Sequence, residues 1–216
     1  MTVVRDPTLP RSRLKLPKGF EPTWELLPLF PEQGEWSEED YLSLEEKLDT
    51  HRLIELVDGR IEVLPVPTEE HQSIVAFLYE AMVAFVRPRR LGKVLFAGLK
   101  VRMRARNFRE PDILFLGAKN EAKRGNRFWR GADLVMEVVS EDDPDRDYVA
   151  KRSEYAKAGI REYWIIDPRT RSITLLTLKG RAYLERGVFK DGQAVASALL
   201  KGFSVDVSKV FDAANE

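Results

Sequence analysis

Two apolar stretches in the middle of the chain each carry one carboxylate, and the other predicted elements are arranged around them. Asp112 opens the run at 113–116, and Glu137 lies inside the run at 134–139. Side chains alternate between the faces of a strand, so the neighbours of Glu137 predict a strand that is apolar on both faces. Burying a lone ionised carboxylate is very costly unless it is paired, protonated or bound to a metal ion. Glu137 therefore requires a partner, and Asp112 is the candidate to share a cation with it.

Helical periodicity flanks these strands. Thr68 is a capping residue, and the inward stripe that follows it predicts a helix to about Arg87. His71 begins this stripe. A core histidine with its hydrogen bonds satisfied and a site residue are equally open interpretations of this position. An acidic turn after the Glu137 strand leads into another helix, which Gly159 closes, and Ser37 caps a shorter helix near the N-terminus.

A β-hairpin is predicted within 53–64, because Asp58-Gly59 is one of the best two-residue turn signals. Pairing across this turn sets Glu55 opposite Glu62. Two like charges that face each other are mildly unfavourable, so a nearby cation, Arg60 or a metal ion, would help. On this pattern alone, a solvent-facing Glu55 is the somewhat favoured interpretation.

A strand meander is predicted next, at 94–97 and 99–104. Alternation along its second strand turns Lys100, Arg102 and Arg104 outward as a basic row.

The remaining apolar segments read as short strands, at 162–167, 172–178, 182–189 and 202–205. The order is helix, strands, the two carboxylate strands, helix and strand. A central mixed β-sheet flanked by helices, with extra β-strands, buries this order best, and the predicted class is α/β (α+β).

Composition narrows the setting. The chain has 216 residues and no cysteine, which excludes thiolate metal sites and disulfides. No apolar run approaches the roughly 20 residues of a membrane span, and the N-terminus has no signal pattern. A cytoplasmic protein without a membrane partner is expected. Residues 1–34 hold six of the twelve prolines and predict an N-terminal extension, which leaves 35–216 as the folded domain.

Net charge is zero, with 35 basic and 35 acidic residues, yet the charges are unevenly placed. Ten lysines and arginines stand against three acids between positions 100 and 130. Such a patch suits a phosphate backbone, whereas a solvated charged surface is the more common explanation for a charge run.

The carboxylates suggest a chemistry. A divalent ion held by Asp112 and Glu137 would lower the pKa of a bound water and stabilise negative charge on a phosphate, and oxygen ligands suit Mg²⁺ or Mn²⁺. Lys151 shares a helix face with Asp147 and Tyr155. If that face looks back on the strand ends, Lys151 reaches the metal. If it looks outward, Lys151 belongs to a Lys/Asp ion pair, which spacing alone favours.

A set of motifs with a fixed order and spacing runs from about Trp36 to Phe211. They are Glu55-Leu56-Val57-Asp58-Gly59, His71-Gln72, Pro111-Asp112, Asp133-Leu134-Val135-Met136-Glu137-Val138-Val139-Ser140, Asp147 with Lys151 and Tyr155, Gly159-Ile160-Arg161-Glu162-Tyr163-Trp164, and Asp167-Pro168. Together they resemble the Uma-two family of restriction endonucleases, within the PD-(D/E)XK nuclease superfamily.

The resemblance implies a restriction-endonuclease-like core with Asp112 and Glu137 as metal ligands. The superfamily lysine normally stands two residues after the acid, where this chain has Val139. The resemblance implies that Lys151 takes over this role from the following helix. It also makes Glu55 and His71 outer members of the site.

Two functions of different classes remain. The first is a Mg²⁺- or Mn²⁺-dependent DNA endonuclease in which the 100–130 patch, including Lys100, Arg102 and Arg104, binds DNA; a homodimer would suit cleavage of both strands. The alternative is a non-catalytic DNA- or protein-binding module on a degenerate nuclease fold, which the missing lysine at Val139 motivates. A carboxylate-pair glycosidase is disfavoured, since nothing supplies aromatic platforms near both acids.

Overall fold

The structure is a computed structural model that describes residues 30–47 and 53–215. Residues 33–216 form one compact unit. The predicted extension 1–34 lies almost entirely outside the described residues and stays a prediction. No helix in the described ranges is long and apolar enough to cross a membrane.

The described residues contain four α-helices: α1 Glu38–Lys47, α2 Glu69–Val86, α3 Arg152–Ala158 and α4 Val207–Asp212. The first three form where caps and periodicity predict helices, whereas α4 was not predicted. Thr68 Oγ1 accepts from the His71 amide at 3.2 Å, which satisfies a free donor at the start of α2. Gly159 ends α3 with φ of 80°, a left-handed conformation that suits glycine. Both predicted caps are confirmed.

A π-helical turn was not predicted either. Residues Arg146–Lys151 wind as a π-helix that runs directly into α3. Such wide turns are rare in proteins, and those that occur often lie at functional sites. This segment carries both Asp147 and Lys151.

Within the described ranges, thirteen strands make up the sheets. In chain order they are β1 Ile54–Val57, β2 Arg60–Val63, β3 Gly92–Phe96, β4 Lys100–Arg104, β5 Asn107–Arg109, β6 Ile113–Gly117, β7 Phe128–Trp129, β8 Leu134–Val138, β9 Glu162–Asp167, β10 Ser172–Lys179, β11 Ala182–Lys190, β12 Ala194–Ala196 and β13 Ser204–Asp206.

The central sheet has six strands in the order β11-β10-β9-β8-β6-β3. Only the β8–β9 pair is parallel, so the predicted mixed sheet is confirmed. The two carboxylate segments are neighbours in it, because β6 and β8 pair with Ile113 opposite Met136. The residues just beyond this pair, Asp112 and Glu137, therefore come to the same end of the sheet.

A second sheet has the order β2-β1-β5-β4-β7, and β12 pairs with β13. The predicted hairpin is confirmed, with Glu55 opposite Glu62. The predicted meander is wrong: β3 pairs with β6 in the central sheet, whereas β4 pairs with β5 in the second. Between them Gly98, with φ of 99°, turns the chain from one sheet to the other.

Two apolar clusters cover the faces of the central sheet. Helices α2 and α4 pack on one face, where Met136 and Trp164 are fully buried. The opposite face carries α3 and β4, with Val135, Val139 and Tyr155 buried. A helix on each side confirms the predicted layering, and Glu137 points to the α3 side together with its two valine neighbours.

Candidate functional site

A cleft of about 750 Å³ opens where β6 and β8 meet the start of α2 and the π-helical turn. It is lined by four of the predicted residues, His71, Asp112, Glu137 and Lys151. Asp147, which shares a helix face with Lys151, lines it too. The motifs that are scattered over the sequence thus converge on one place.

Glu137 is the most buried acid of the cleft, with 1% of its surface exposed. Lys151 Nζ lies 2.8 Å from Glu137 Oε2, and the Tyr155 hydroxyl donates to the other carboxylate oxygen. Lys151 also lies 2.9 Å from Asp147 Oδ1. The helix face therefore looks back on the strand ends, and the Lys/Asp pair forms as well, but inside the cleft rather than on the surface.

Asp112 is fixed from two sides. Its Oδ2 accepts from the Val138 amide at 2.8 Å, which ties it to the peptide next to Glu137. His71 Nε2 lies 3.2 Å from the same oxygen. His71 is thus a neighbour of the carboxylate pair, although its Nδ1 is buried without a hydrogen-bond partner among the described residues.

The electrostatics of this group are unbalanced. Burial raises the pKa of Glu137; Lys151 opposes this shift, while Asp112 and Asp147 add to it. Burial raises the pKa of Asp147 as well. For Lys151, burial favours a lower pKa, but Glu137 and Asp147 overcome it and raise the pKa above its ordinary value. Glu137 and Asp147 thus share one ammonium beside Asp112, and burial opposes the ionisation of both, so a further cation would stabilise their charged forms.

The imidazole of His71 responds to the same charges. Burial lowers the pKa of His71, but the hydrogen bond to Asp112 and its charge outweigh burial and raise it.

Glu55 lies outside the cleft lining, and the favoured prediction of a solvent-facing Glu55 is wrong, because it is completely buried. Arg109 Nη1 and Arg146 Nη2 each donate to its Oε2 at 2.7 Å, and the Glu110 amide donates to Oε1 at 2.7 Å. Burial would raise the pKa of Glu55, but Arg109, Lys151 and Arg146 lower it to about 2. The cation that balances the Glu55–Glu62 pair is therefore not Arg60.

The predicted basic row does not face outward as a unit. Lys100 is 3% exposed and lies 3.0 Å from Glu110, so the outward orientation is wrong for this residue. Strand β4 belongs to the second sheet, and this face of it is covered only at Lys100, because Arg102 and Arg104 stay partly exposed. Arg102 pairs with Glu38, and Arg104 pairs with Asp58. None of these three described side chains lines the cleft.

Two arginines that line the cleft were missed. Arg146 is held by Glu55, and Arg169 forms a bidentate pair with Asp167, through Nε at 2.9 Å and Nη2 at 2.7 Å. Each adjoins a motif residue, Asp147 and Asp167-Pro168, which is the signal that could have found them. The π-helical turn orients Arg146 toward the cleft, and Asp167 orients Arg169.

In the described ranges, no group of three or more histidine or acidic side chains stands in an arrangement that would enclose a metal ion. A metal at this site would therefore use few protein ligands. The pair that fits the chemistry of a hard cation is Asp112 with Glu137, because both offer carboxylate oxygens in a region of excess negative charge.

The fold is restriction-endonuclease-like. A solved structure supports this class: "Crystal structure of a putative nuclease belonging to DUF820 from Anabaena variabilis ATCC 29413" matches with a TM-score of 0.68 and 18% sequence identity, and it covers 82% of this chain and 98% of that one. At this identity the match establishes the fold.

The family follows from the sequence. Residues 38–208 match the Uma2 family, described as "Putative restriction endonuclease". The chain belongs to this family, which makes it a nuclease at the family level, with DNA as the substrate class and divalent-metal dependence as the general expectation. No curated protein matches the chain.

Proposed function

We propose that the chain is a divalent-metal-dependent DNA endonuclease of the PD-(D/E)XK type, in which Asp112 and Glu137 bind Mg²⁺ or Mn²⁺ and Lys151 positions the attacking water. The observation that carries the proposal is the contact of Lys151 Nζ with Glu137 Oε2 at 2.8 Å. A lysine from the following helix thus reaches the acid, although position 139 is valine.

The donor set supports Mg²⁺ or Mn²⁺. Mg²⁺ keeps several waters and is commonly held by one or two carboxylates together with substrate phosphates, so a site with few protein ligands suits it. When bound, such an ion lowers the pKa of its water and neutralises charge that develops on the phosphate. The three acids around Lys151 provide the negative charge that would draw it in.

Lys151 acts as a cation in this arrangement. Because Glu137 and Asp147 raise its pKa, the amine stays protonated near neutral pH and donates hydrogen bonds. It therefore orients the water and stabilises negative charge, rather than accepting the proton. His71 keeps Asp112 in place from the opposite side, at 3.2 Å from its Oδ2.

The substrate backbone requires further cations. Seven carboxylates and only three lysine or arginine side chains line the cleft, which by itself would repel a polyanion. Apart from Lys151, the cationic side chains of the cleft are Arg146 and Arg169. Their partners fix the guanidinium groups, and Arg169 is left with Nη1 free of hydrogen bonds among the described residues. We assign phosphate contacts to this pair.

The test is cleavage of supercoiled plasmid DNA with Mg²⁺ or Mn²⁺. Wild-type protein should nick or linearise the plasmid, and chelation should abolish this. The double variant Asp112→Asn/Glu137→Gln should be inactive, whereas Asp191→Asn/Asp212→Asn, which removes two surface acids that hold Arg171, should cleave normally. Equal cleavage by the double cleft variant, shown to be folded by thermal unfolding, would contradict the proposal.

A non-catalytic DNA- or protein-binding module is the second candidate. It is favoured by one observation: Lys151 and Tyr155 already occupy both oxygens of Glu137. Calorimetry separates the two functions. Binding of Mn²⁺ that is lost in Asp112→Asn/Glu137→Gln supports the nuclease, and DNA binding without any metal binding supports the module.

A further inference from the structure

Exposed apolar side chains gather around the cleft. Eight large hydrophobic residues are exposed in the described ranges: Phe30, Val63, Val66, Leu91, Phe96, Val149, Leu184 and Val188. Val66 and Phe96 line the cleft, while Val63 and Val149 line an adjoining cavity of about 550 Å³ that shares Arg146 with it. Exposed apolar residues that are scattered singly need no explanation. Here four of the eight lie beside a polar site, and that concentration does need one.

Phe96 is the residue best placed to bind a ligand. It ends β3, opposite Ile113, and the next amide, that of Ala97, donates to the Asp112 carbonyl at 2.9 Å. The residue is 52% exposed, and an edge-on contact with Tyr79, with ring centroids 4.9 Å apart, supports the ring. An aromatic surface thus stands one residue from the backbone that carries the proposed metal ligand.

Val66 is the second exposed apolar residue that lines the cleft. It is 73% exposed and lies between Pro65 and Pro67, which restrict the backbone and keep the side chain at the rim. The cleft therefore has an apolar wall at Phe96 and Val66, and a polar wall at Glu137, Lys151 and Arg169.

We propose that Phe96, with Val66, forms a nucleobase subsite in which an unstacked base of single-stranded DNA packs against the ring while its phosphate lies on the polar wall. This inference rests on the proposed function and names its substrate class. One nucleotide matches both walls, because it joins an apolar aromatic face to a charged phosphate group.

The geometry favours single strands over an intact duplex for a physical reason. In a duplex the base faces are covered by stacking, and only groove edges and phosphates are accessible. Aromatic side chains bind single strands by stacking on base faces, with little dependence on sequence. An exposed ring beside the reacting phosphate is useful only if the base leaves the stack.

The test measures binding of a fluorescent single-stranded oligonucleotide and of the matching blunt duplex, with Ca²⁺ replacing Mg²⁺ as a hard cation. Phe96→Ala should weaken binding of the single strand about tenfold, as expected for loss of one stacked base. Binding of the duplex and the salt dependence of both should stay unchanged. Phe96→Trp should restore the single-strand affinity.

Leu184→Ala is the matched control, because Leu184 is 44% exposed on β11 and does not line the cleft. An equal affinity of wild type and Phe96→Ala for the single strand would overturn the subsite. An equal loss of affinity for the single strand and the duplex in Phe96→Ala would also overturn it. Self-association of the wild type that Phe96→Ala abolishes would overturn it as well.

Failure of the two proposals can be told apart. If the Phe96-dependent preference for single strands persists while no metal supports cleavage, the subsite stands and the nuclease function falls. If wild-type protein cleaves with metal but Phe96→Ala binds both DNA forms as wild type does, only the subsite falls.

Discussion

Two buried glutamates in this protein each contact a cation from another element, yet they differ in charge balance. Glu55 receives two guanidinium groups and a backbone amide, and its pKa falls to about 2. Glu137 shares one ammonium with Asp147 and also faces Asp112, and burial raises its pKa. The first cluster is satisfied by the protein, whereas the second has room for an additional cation.

This contrast separates a structural ion pair from a candidate site. Buried salt bridges by themselves are weak indicators of either stability or function. What distinguishes the cleft is the excess of acids over fixed cations, together with access to solvent through an open pocket. Breaking each cluster should therefore have a different consequence: loss of stability at Glu55 and loss of activity at Glu137.

The largest stability effect should come from Arg109→Met. Removing this arginine leaves Glu55 buried with one remaining guanidinium, and breaking a buried pair in this way costs about 3–5 kcal/mol. Urea denaturation measures the loss. The double variant Glu55→Gln/Arg109→Met should recover part of it, since the fully buried carboxylate is then neutral, although Glu154, which Arg109 also binds at 2.8 Å, stays without its guanidinium. A double variant less stable than Arg109→Met would argue against the pair.

Lys151→Met should affect activity most. Loss of this ammonium removes a donor from the reacting centre, so DNA cleavage should fall about 10²–10³-fold. Mn²⁺ binding, measured by calorimetry, should not weaken, because the carboxylates remain and a competing cation is gone. Lys157→Met, on the exposed face of the same helix, is the control. Parallel loss of metal binding and cleavage would mean that Lys151 only supports the fold.

Acid should weaken the Glu55 cluster. The pKa of Glu55 is lowered from 4.5 to about 2, so its contribution to stability is present above pH 4.5 and is lost as pH falls through 2. The contribution is about 3 kcal/mol. The stability difference between wild type and Glu55→Gln should therefore shrink between these pH values, and a constant difference would contradict the ion-pair assignment.

The smallest expected effect distinguishes the cleft arginines from the predicted basic row. Arg169→Gln should reduce the slope of log K against log salt for DNA binding by about 0.7–0.9, the value for one phosphate contact. Arg171→Gln is a close control, because Arg171 is also held in a bidentate pair, with Asp191, but does not line the cleft. If Arg102→Gln changes the slope and Arg169→Gln does not, the predicted row is the DNA contact.

Local rules were sufficient for much of the fold. Thr68 and Gly159 bounded their helices as predicted, and the alternation around Glu137 correctly indicated a strand buried on both faces. These features depend on residues close together in sequence. The order of the predicted elements indicated the mixed sheet with helices on both sides, and the family resemblance implied the same core.

Long-range contacts set the limits of prediction. Glu55 looked solvent-facing because its main partner, Arg109, is 54 residues away. Lys100 looked outward because alternation defines the two faces of a strand but does not show that Glu110, from another segment, pairs with this one position. The direction of Lys151 depends on the π-helical turn, which places Arg146–Lys151 against the end of the central sheet.

The most direct test of the central claim is a crystal soaked in Mn²⁺ and measured for anomalous scattering. The account predicts an anomalous peak that contacts both Asp112 and Glu137, with the Lys151 amine beside Glu137. Carboxylates that remain bound only to Lys151, Tyr155 and His71, without a peak, at Mn²⁺ concentrations that support DNA cleavage, would contradict it.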